Sequence, residues 1–336
     1  MDNRRVYQNN AVTRKKVAAV LSPEERRQLT RRSDLWGAAS ILLAWGGIAA
    51  SFALVGWGLG QPVWLMVPVV VLGVALLGGR QLALAILTHE GTHNTLFRSR
   101  WANSTLTDWL CGRPIGLDLA RYRTHHFIHH SKTGTAEDSD ISLIQGLPTT
   151  RASLARKFLR DLSGLTGLKF LLGRLLMDME LMKWTVATEV TWLPRRSRTS
   201  HLWALVRNST PAVLVNGGLL AALWLAGQPG LYLAWVAAYL IPYPLFIRIR
   251  ALAEHAGTEA TTDMFRNTRT TRAGWLARLF FAPFRVNYHI EHHAMAAVPW
   301  YRLKALHALL RQRQMVAEPP GYWQVMRLVS SAGQTR

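Results

Sequence analysis

Apolar residues in this chain gather into long runs with at most one charged residue each, instead of recurring at the spacing of a single helix face or strand face. The first run covers residues 35–59 and has Trp36 and Trp57 near its ends, where interfacial aromatics sit. A second covers residues 63–88, a third 202–226 and a fourth 231–249. About 20 such residues cross the hydrocarbon at about 1.5 Å each, so every run predicts a transmembrane helix, the second leaving the hydrocarbon near Leu82. The expected architecture is an all-α integral membrane protein with four transmembrane helices and a cytoplasmic helical cap. Residues 1–34 form a basic N-terminal tail, 35–310 the membrane domain and 311–336 a C-terminal tail.

The shorter segments refine this picture. Residues 103–120 are apolar but brief and interrupted by Asp108, Arg113, Pro114 and Asp118, which predicts an interfacial or re-entrant helix. Residues 153–183 mix leucines with Arg156, Lys157, Arg160, Lys169 and Arg174, the pattern of an amphipathic helix or pair. It lies either on the bilayer surface or against protein as an ordinary cap helix. Residues 1–22 and 330–336 are expected to be poorly ordered, and neither a cleavable signal peptide nor an internal repeat is evident.

Charge assigns the sides. The first 34 residues hold nine Lys or Arg, and the segment between the second and third runs and the tail after Arg248 are also basic, whereas residues 58–62 and 227–230 carry no charge. The positive-inside rule then places both termini and the central segment in the cytoplasm, with a bacterial inner membrane as the expected location. A net charge of +21 does not indicate nucleic acid, because the basic residues follow the membrane edges and form no nucleic-acid module. Anionic lipid headgroups account for it.

Nine of the 12 histidines stand just beyond these runs. They are His89 and His93, then His126, His129 and His130, then His289, His292 and His293, with His255 alone after the fourth run. Two separate helices thereby lift His89 and His255 to a similar height above the bilayer. Spacings of three and four residues put ring nitrogens on one helix face, and neutral imidazole binds iron, copper and zinc. Adjacent histidines would repel if protonated, so a cation is the natural organiser. His201 and His307 read as hydrogen-bonded structural residues. One tetrahedral zinc needs three or four donors, whereas nine histidines suffice for two ions. Nitrogen-rich sites with open positions suit iron that binds oxygen, with zinc and copper left open. Glu90, Glu137, Asp138, Asp140, Glu254 and Glu291 are candidate outer carboxylates for the second ring nitrogens. Cys111 is the only cysteine, which excludes an internal disulfide and a cysteine-held cluster. No nucleotide loop or nucleophile motif is evident.

On these motifs the chain resembles the membrane-bound fatty acid desaturases and hydroxylases over roughly residues 35–310. His89-Glu90-Gly91-Thr92-His93 is similar to the first histidine box, His126-Phe127-Ile128-His129-His130 to the second, and Asn287-Tyr288-His289-Ile290-Glu291-His292-His293 to the third. Arg250-Ala251-Leu252-Ala253-Glu254-His255 looks like the segment that supplies an additional ligand. The resemblance implies a di-iron site held by those nine histidines, with O2 as co-substrate and an external electron donor, attacking an unactivated C–H bond of a fatty acyl chain. His125 lies outside that set. Ala251, one turn before His255, cannot coordinate where some members carry an asparagine. Tails this short leave no room for a fused haem domain, so the donor is expected to be a separate ferredoxin, rubredoxin or small cytochrome docking on the basic face, although lipid binding explains the same charge. Trp101, Trp109, Tyr122, Tyr288 and Trp300 stand near the boxes, to line a substrate tunnel or to anchor at the interface.

Desaturation of a fatty acyl lipid is the favoured reaction. Acyl or alkane hydroxylation, carotenoid ketolation and decarboxylation to a terminal alkene share the same core. A metal transporter, the reading from another class, would carry ligands at mid-membrane, and no histidine lies near the centre of a run.

Overall fold

In the computed structural model, which describes residues 11–184 and 190–332, the apolar runs become helices packed side by side. Helix α1 spans Ala11–Val20, α2 Pro23–Leu29, α3 Asp34–Leu59 and α4 Val63–Thr92. Ser33 opens α3 by accepting from the Trp36 N–H, and the chain turns through Gly60 into α4. Ile41, Ile48, Phe52 and Val55 of α3 are buried with Leu77, Leu84 and Leu87 of α4 in the main core. Helix α4 does not stop at residue 88 but continues to Thr92, so His89 lies in its last turn.

The 103–120 segment folds as π-helical turns, Ala102–Leu106 and Asp108–Gly112, followed by the 3-10 turn Arg113–Ile115. Asn103 stitches its start, donating from Nδ2 to Phe97 O at 2.7 Å and accepting at Oδ1 from Phe97 N at 3.0 Å. Asp108 holds Arg113 Nε at 2.7 Å through Oδ2 and the Leu119 N–H at 2.9 Å through Oδ1. Asp118 caps α5 (Leu119–Lys132) by accepting from the Arg121 N–H at 3.0 Å. The charges that argue against a membrane crossing here thus start the helix carrying the second histidine box.

Residues 153–183 give two helices, α6 (Arg151–Leu162) and α7 (Leu165–Asp178). They are tied down by Asp161 paired with Arg248, and by Asp178, which binds Arg121 of α5 at 2.9 Å beside Arg174 of its own helix at 2.7 Å. Their opposite edge leaves Leu159, Leu162, Leu165, Leu168, Leu172 and Leu175 exposed. A small antiparallel hairpin, β1 (Met182–Lys183) with β2 (Thr191–Trp192), leads on to α8 (Arg198–Leu225). The fourth run is not a single rod. Helix α9 (Tyr232–Leu240) breaks at Ile241 (φ −110, ψ −74), and α10 (Pro242–His255) begins with a proline whose missing N–H suits a helix start.

Among the described residues three stretches are long and apolar enough to cross a membrane, Pro23–Leu59, Val63–Thr92 and Pro229–His255. Helix α8 has the length but not the same apolarity, because Arg207, Asn208, Ser209 and Thr210 interrupt it.

The expectation of poor order for residues 1–22 fails from residue 11 onward. Val17 of α1 and Leu21 are buried with Val298 and with Leu303, Leu306 and Leu310 of α12 (Leu303–Gln312), which follows α11 (His289–Ala294). Thr13 Oγ1 accepts from the Met264 N–H at 3.0 Å, and Lys16 pairs with Asp263 at 2.5 Å. Apolar burial and these polar ties offset the entropy of ordering the segment. Near the other end Ser330 is buried and Ser331 bridges to Thr150, which corrects the same expectation for those residues. Residues 1–10 and 333–336 lie outside the described residues.

Candidate metal centre

Four stretches of chain end at one place. Helix α4 brings His89 with His93 as its cap, α5 brings His126, His129 and His130, α10 ends at His255, and α11 brings His289, His292 and His293. All nine are buried. Their ligand atoms fall into two groups, each within 4.8 Å of one another: His89, His93, His126, His130 and His292, and His129, His255, His289 and His293.

Helix geometry does the sorting. His89 and His93, His126 and His130, and His289 and His293 are pairs four residues apart, and each pair shares a group because it shares a helix face. His129 and His292 each precede the last histidine of their box, and each turns to the other group. Nε2 atoms meet at 2.9 Å between His93 and His126, 3.0 Å between His130 and His292, and 2.7 Å between His255 and His289. The groups touch where the rings of His130 and His293 stack, centroids 4.2 Å apart.

The surroundings favour the ligand form of imidazole. Burial pushes His126, His130, His289, His292 and His293 well below the ordinary histidine range, and the neighbouring rings add to it. His93 is pulled down to about 3, first by burial and then by Arg123 and His129. His129 goes the other way: burial opposes its charge, but Asp140 and then Asp138 hold it above the usual range. Both ring nitrogens of His89 and His293, and Nδ1 of His255 and His289, are buried without a hydrogen-bond partner among the described residues. A buried unpaired polar group costs about 1–3 kcal/mol, and a cation in each group would remove that cost for the one nitrogen that each ring turns to it. The all-nitrogen donor set fits two transition-metal ions.

Outer contacts fix several rings. Asp138 Oδ1 lies 2.7 Å from His129 Nδ1, which turns Nε2 of that ring inward. Glu90 accepts from Thr95 Oγ1 at 2.8 Å and from the Trp300 N–H at 3.0 Å, with Oε1 3.5 Å from His89 Nδ1. Glu291 accepts from Thr270 Oγ1 at 2.5 Å and meets His307 Nδ1 at 2.7 Å, so it holds the histidine read as structural. His201 is likewise hydrogen-bonded, to Met179 O and the Arg196 N–H. Asp140 lies 2.9 Å from His125 Nε2, which keeps His125 outside both groups. Glu137 is a correction to the candidate carboxylates: it is exposed and pairs with Lys132, away from the rings. Two contributors were missed as functional positions. Arg123 donates to Thr92 O and Gly91 O at the end of α4, and Arg250 binds Glu254, where only the four-residue spacing gave a signal.

A cavity of about 170 Å³ opens on His126, His129, His255 and His289, walled by Leu82, Ala85, Leu117 and Ile247. It abuts a second of about 190 Å³ through Leu117, Tyr122, His125, Tyr243 and Ile247, and Ile115, Gly116, Arg174 and Tyr239 link that one to a third beside α7, α8 and α9. Tyr122 lines the path and stacks on His126, centroids 5.4 Å apart. Trp101, Trp109, Tyr288 and Trp300 do not line the two chambers nearest the histidines: the first two face outward, Tyr288 packs on His307 and Trp300 on Trp36 and Phe284.

Residues 64–325 match the family described as fatty acid desaturase. A dihydrorhizobitoxine desaturase from Bradyrhizobium elkanii is 24% identical over 267 residues, covering 78% of this chain and 71% of that protein. An sn-1 oleoyl-lipid 12-desaturase from Synechocystis sp. is 24% identical over 315 residues, covering 89% of this chain and 83% of its own.

Proposed function

This chain belongs to the fatty acid desaturase family, and from that premise we propose that it desaturates a fatty acyl chain at two iron ions, one in each histidine group. The observation that supports this best is the meeting of nine buried imidazoles, several with unpaired ring nitrogens, beside a cavity with apolar walls. Bound iron would supply the oxidising power, drawn from O2 and from electrons of a separate ferredoxin, rubredoxin or cytochrome-type carrier, that an unactivated C–H bond demands. The protein's own part is register and dryness. Leu82, Leu117 and Ile247 hold the acyl chain and exclude water, Tyr122 steadies His126, and Asp138 sets the tautomer of His129.

The membrane setting follows the same reading. Helices α3, α4, α8 and the α9–α10 pair serve as four spans. Helix α8 is the fourth because Trp203, Val206, Val213, Leu214 and Trp224 are exposed along it, a surface suited to lipid. From Val63 to His89 is about 39 Å of helix, enough to carry His89 past a hydrocarbon layer of about 30 Å, and the broken α9–α10 pair ends in His255 at the same centre. The basic segments support a reading with the metal centre, the cap and both termini on the cytoplasmic side, residues 35–310 as the membrane domain and a bacterial inner membrane as the proposed location. The test is to express the chain with an electron donor and compare cellular lipids and volatiles by mass spectrometry. An acyl product two hydrogens lighter is expected; an alcohol, a ketone or a terminal alkene in its place would overturn desaturation.

A further inference from the structure

The two histidine groups are unequal, five imidazoles against four, and the smaller one faces the cavity. Three of its members, His129, His255 and His289, line that chamber, whereas only His126 of the larger group does. On the same wall stands Glu254, the residue before His255, with its side chain only 6% exposed. Oε1 accepts from Arg250 Nε, one turn earlier on α10, at 2.8 Å. Oε2 lies 3.6 Å from Nε2 of His289, the same nitrogen that approaches Nε2 of His255 to 2.7 Å.

The direction of approach is informative. An outer carboxylate meets the ring nitrogen that points away from the ion, as Asp138 meets Nδ1 of His129. Glu254 stands instead by the converging nitrogens, while Nδ1 of His255 and of His289 stay unpaired. Two donors each about 2.1 Å from one ion lie about 3–3.5 Å apart, close to the separation seen here. Oε2 sits at the rim of the four-imidazole group, 3.6 Å from one of its converging nitrogens and just outside the set whose ligand atoms all lie within 4.8 Å.

We propose that Glu254 is a direct ligand of the second metal site, held in aim by Arg250, so that the ion beside the substrate cavity carries a carboxylate and the other carries imidazoles alone. This rests on the reading that both groups hold metal. The purified full chain and Glu254→Gln, each stripped with chelator, are titrated with Co(II) and followed by absorption. The wild type should bind two ions with distinct visible spectra. Glu254→Gln should keep the first ion unchanged, shift the spectrum of the second and weaken it by about tenfold or more. An unchanged second spectrum and affinity would overturn the ligand assignment while leaving the metal reading intact; a wild type that binds no second ion overturns both. Should Glu254→Gln fail to fold, infrared difference spectra of the wild type decide, since filling the second site must change the splitting of a carboxylate band, and no such change refutes the inference.

Discussion

Nε2 of His130 and Nε2 of His292 stand 3.0 Å apart, although 162 residues separate them along the chain. Neither helix could hold its ring there alone, since α11 is six residues long and α5 fourteen. An ion between the two rings would therefore fasten the third box to the second. His292→Ala is expected to cut bound iron from about two ions per chain towards one. It should lower turnover by more than the roughly 100-fold that loss of an outer partner can reach. Circular dichroism should stay helical, because the spans do not depend on this ring. Full metal content in the variant would remove His292 from the ligand set.

Asp138 acts on the other group. Its Oδ1 lies 2.7 Å from Nδ1 of His129 and both side chains are buried, so the carboxylate fixes which ring nitrogen is free for metal. Asp138→Ala should weaken metal at the four-histidine group by about 10–100-fold, measured by competition with a chromogenic chelator. The five-histidine group should hold its ion as before. Equal weakening at both groups would show that Asp138 supports the fold and not one ring.

How much of this was legible in the sequence depends on the range of the interaction. The run at 35–59 became Asp34–Leu59 because lipid demands apolarity at every position, a property that needs no partner to read. The break at Ile241 was written locally in Pro242 and Pro244 yet hidden inside an apolar run. That the histidines cluster was visible. Their division between two groups was available from the four-residue spacings once the boxes were taken as helical. The choice of Asp138 over the adjacent Glu137 was not, because it depends on how the chain turns after α5 through Gly134, at φ +81. The ordering of α1 also left no local trace, since Lys16 finds Asp263 across 247 positions.

Gly91 lies between His89 and His93 at a place where helix α4 meets the π-helical segment. A Cβ there would stand 2.7 Å from the backbone oxygen of Asn103 and 2.8 Å from Cγ2 of Thr107. Backbone cannot yield as a flexible side chain can, so Gly91→Ala must shift the end of α4. Overpacking of this kind costs about 1–3 kcal/mol. The expected result is a lower thermal midpoint together with weaker metal at the five-histidine group, which contains both flanking histidines. A variant that loses stability but keeps its metal affinity would show that the helix end moves without carrying its rings.

Ile247 belongs to the wall shared by the two inner chambers, with Leu117, Tyr122, His125 and Tyr243. It is half-buried on α10, two turns before His255, packing on the main core on one side and lining both chambers on the other, so a larger residue that turns to the chambers fills the passage. If the acyl chain runs from the outer chamber past this point to the histidines, Ile247→Trp should shorten the longest chain accepted. The metal count and the thermal midpoint should barely move, because the volume is added to a cavity and not to packed protein. The measurement is the chain-length distribution of oxidised products from cells given a mixture of fatty acids. A narrower passage predicts loss of the longer products first, with turnover on shorter ones falling less than about tenfold. An unchanged distribution would place the substrate path elsewhere, since a ring of that size cannot occupy the junction and leave a threaded chain undisturbed.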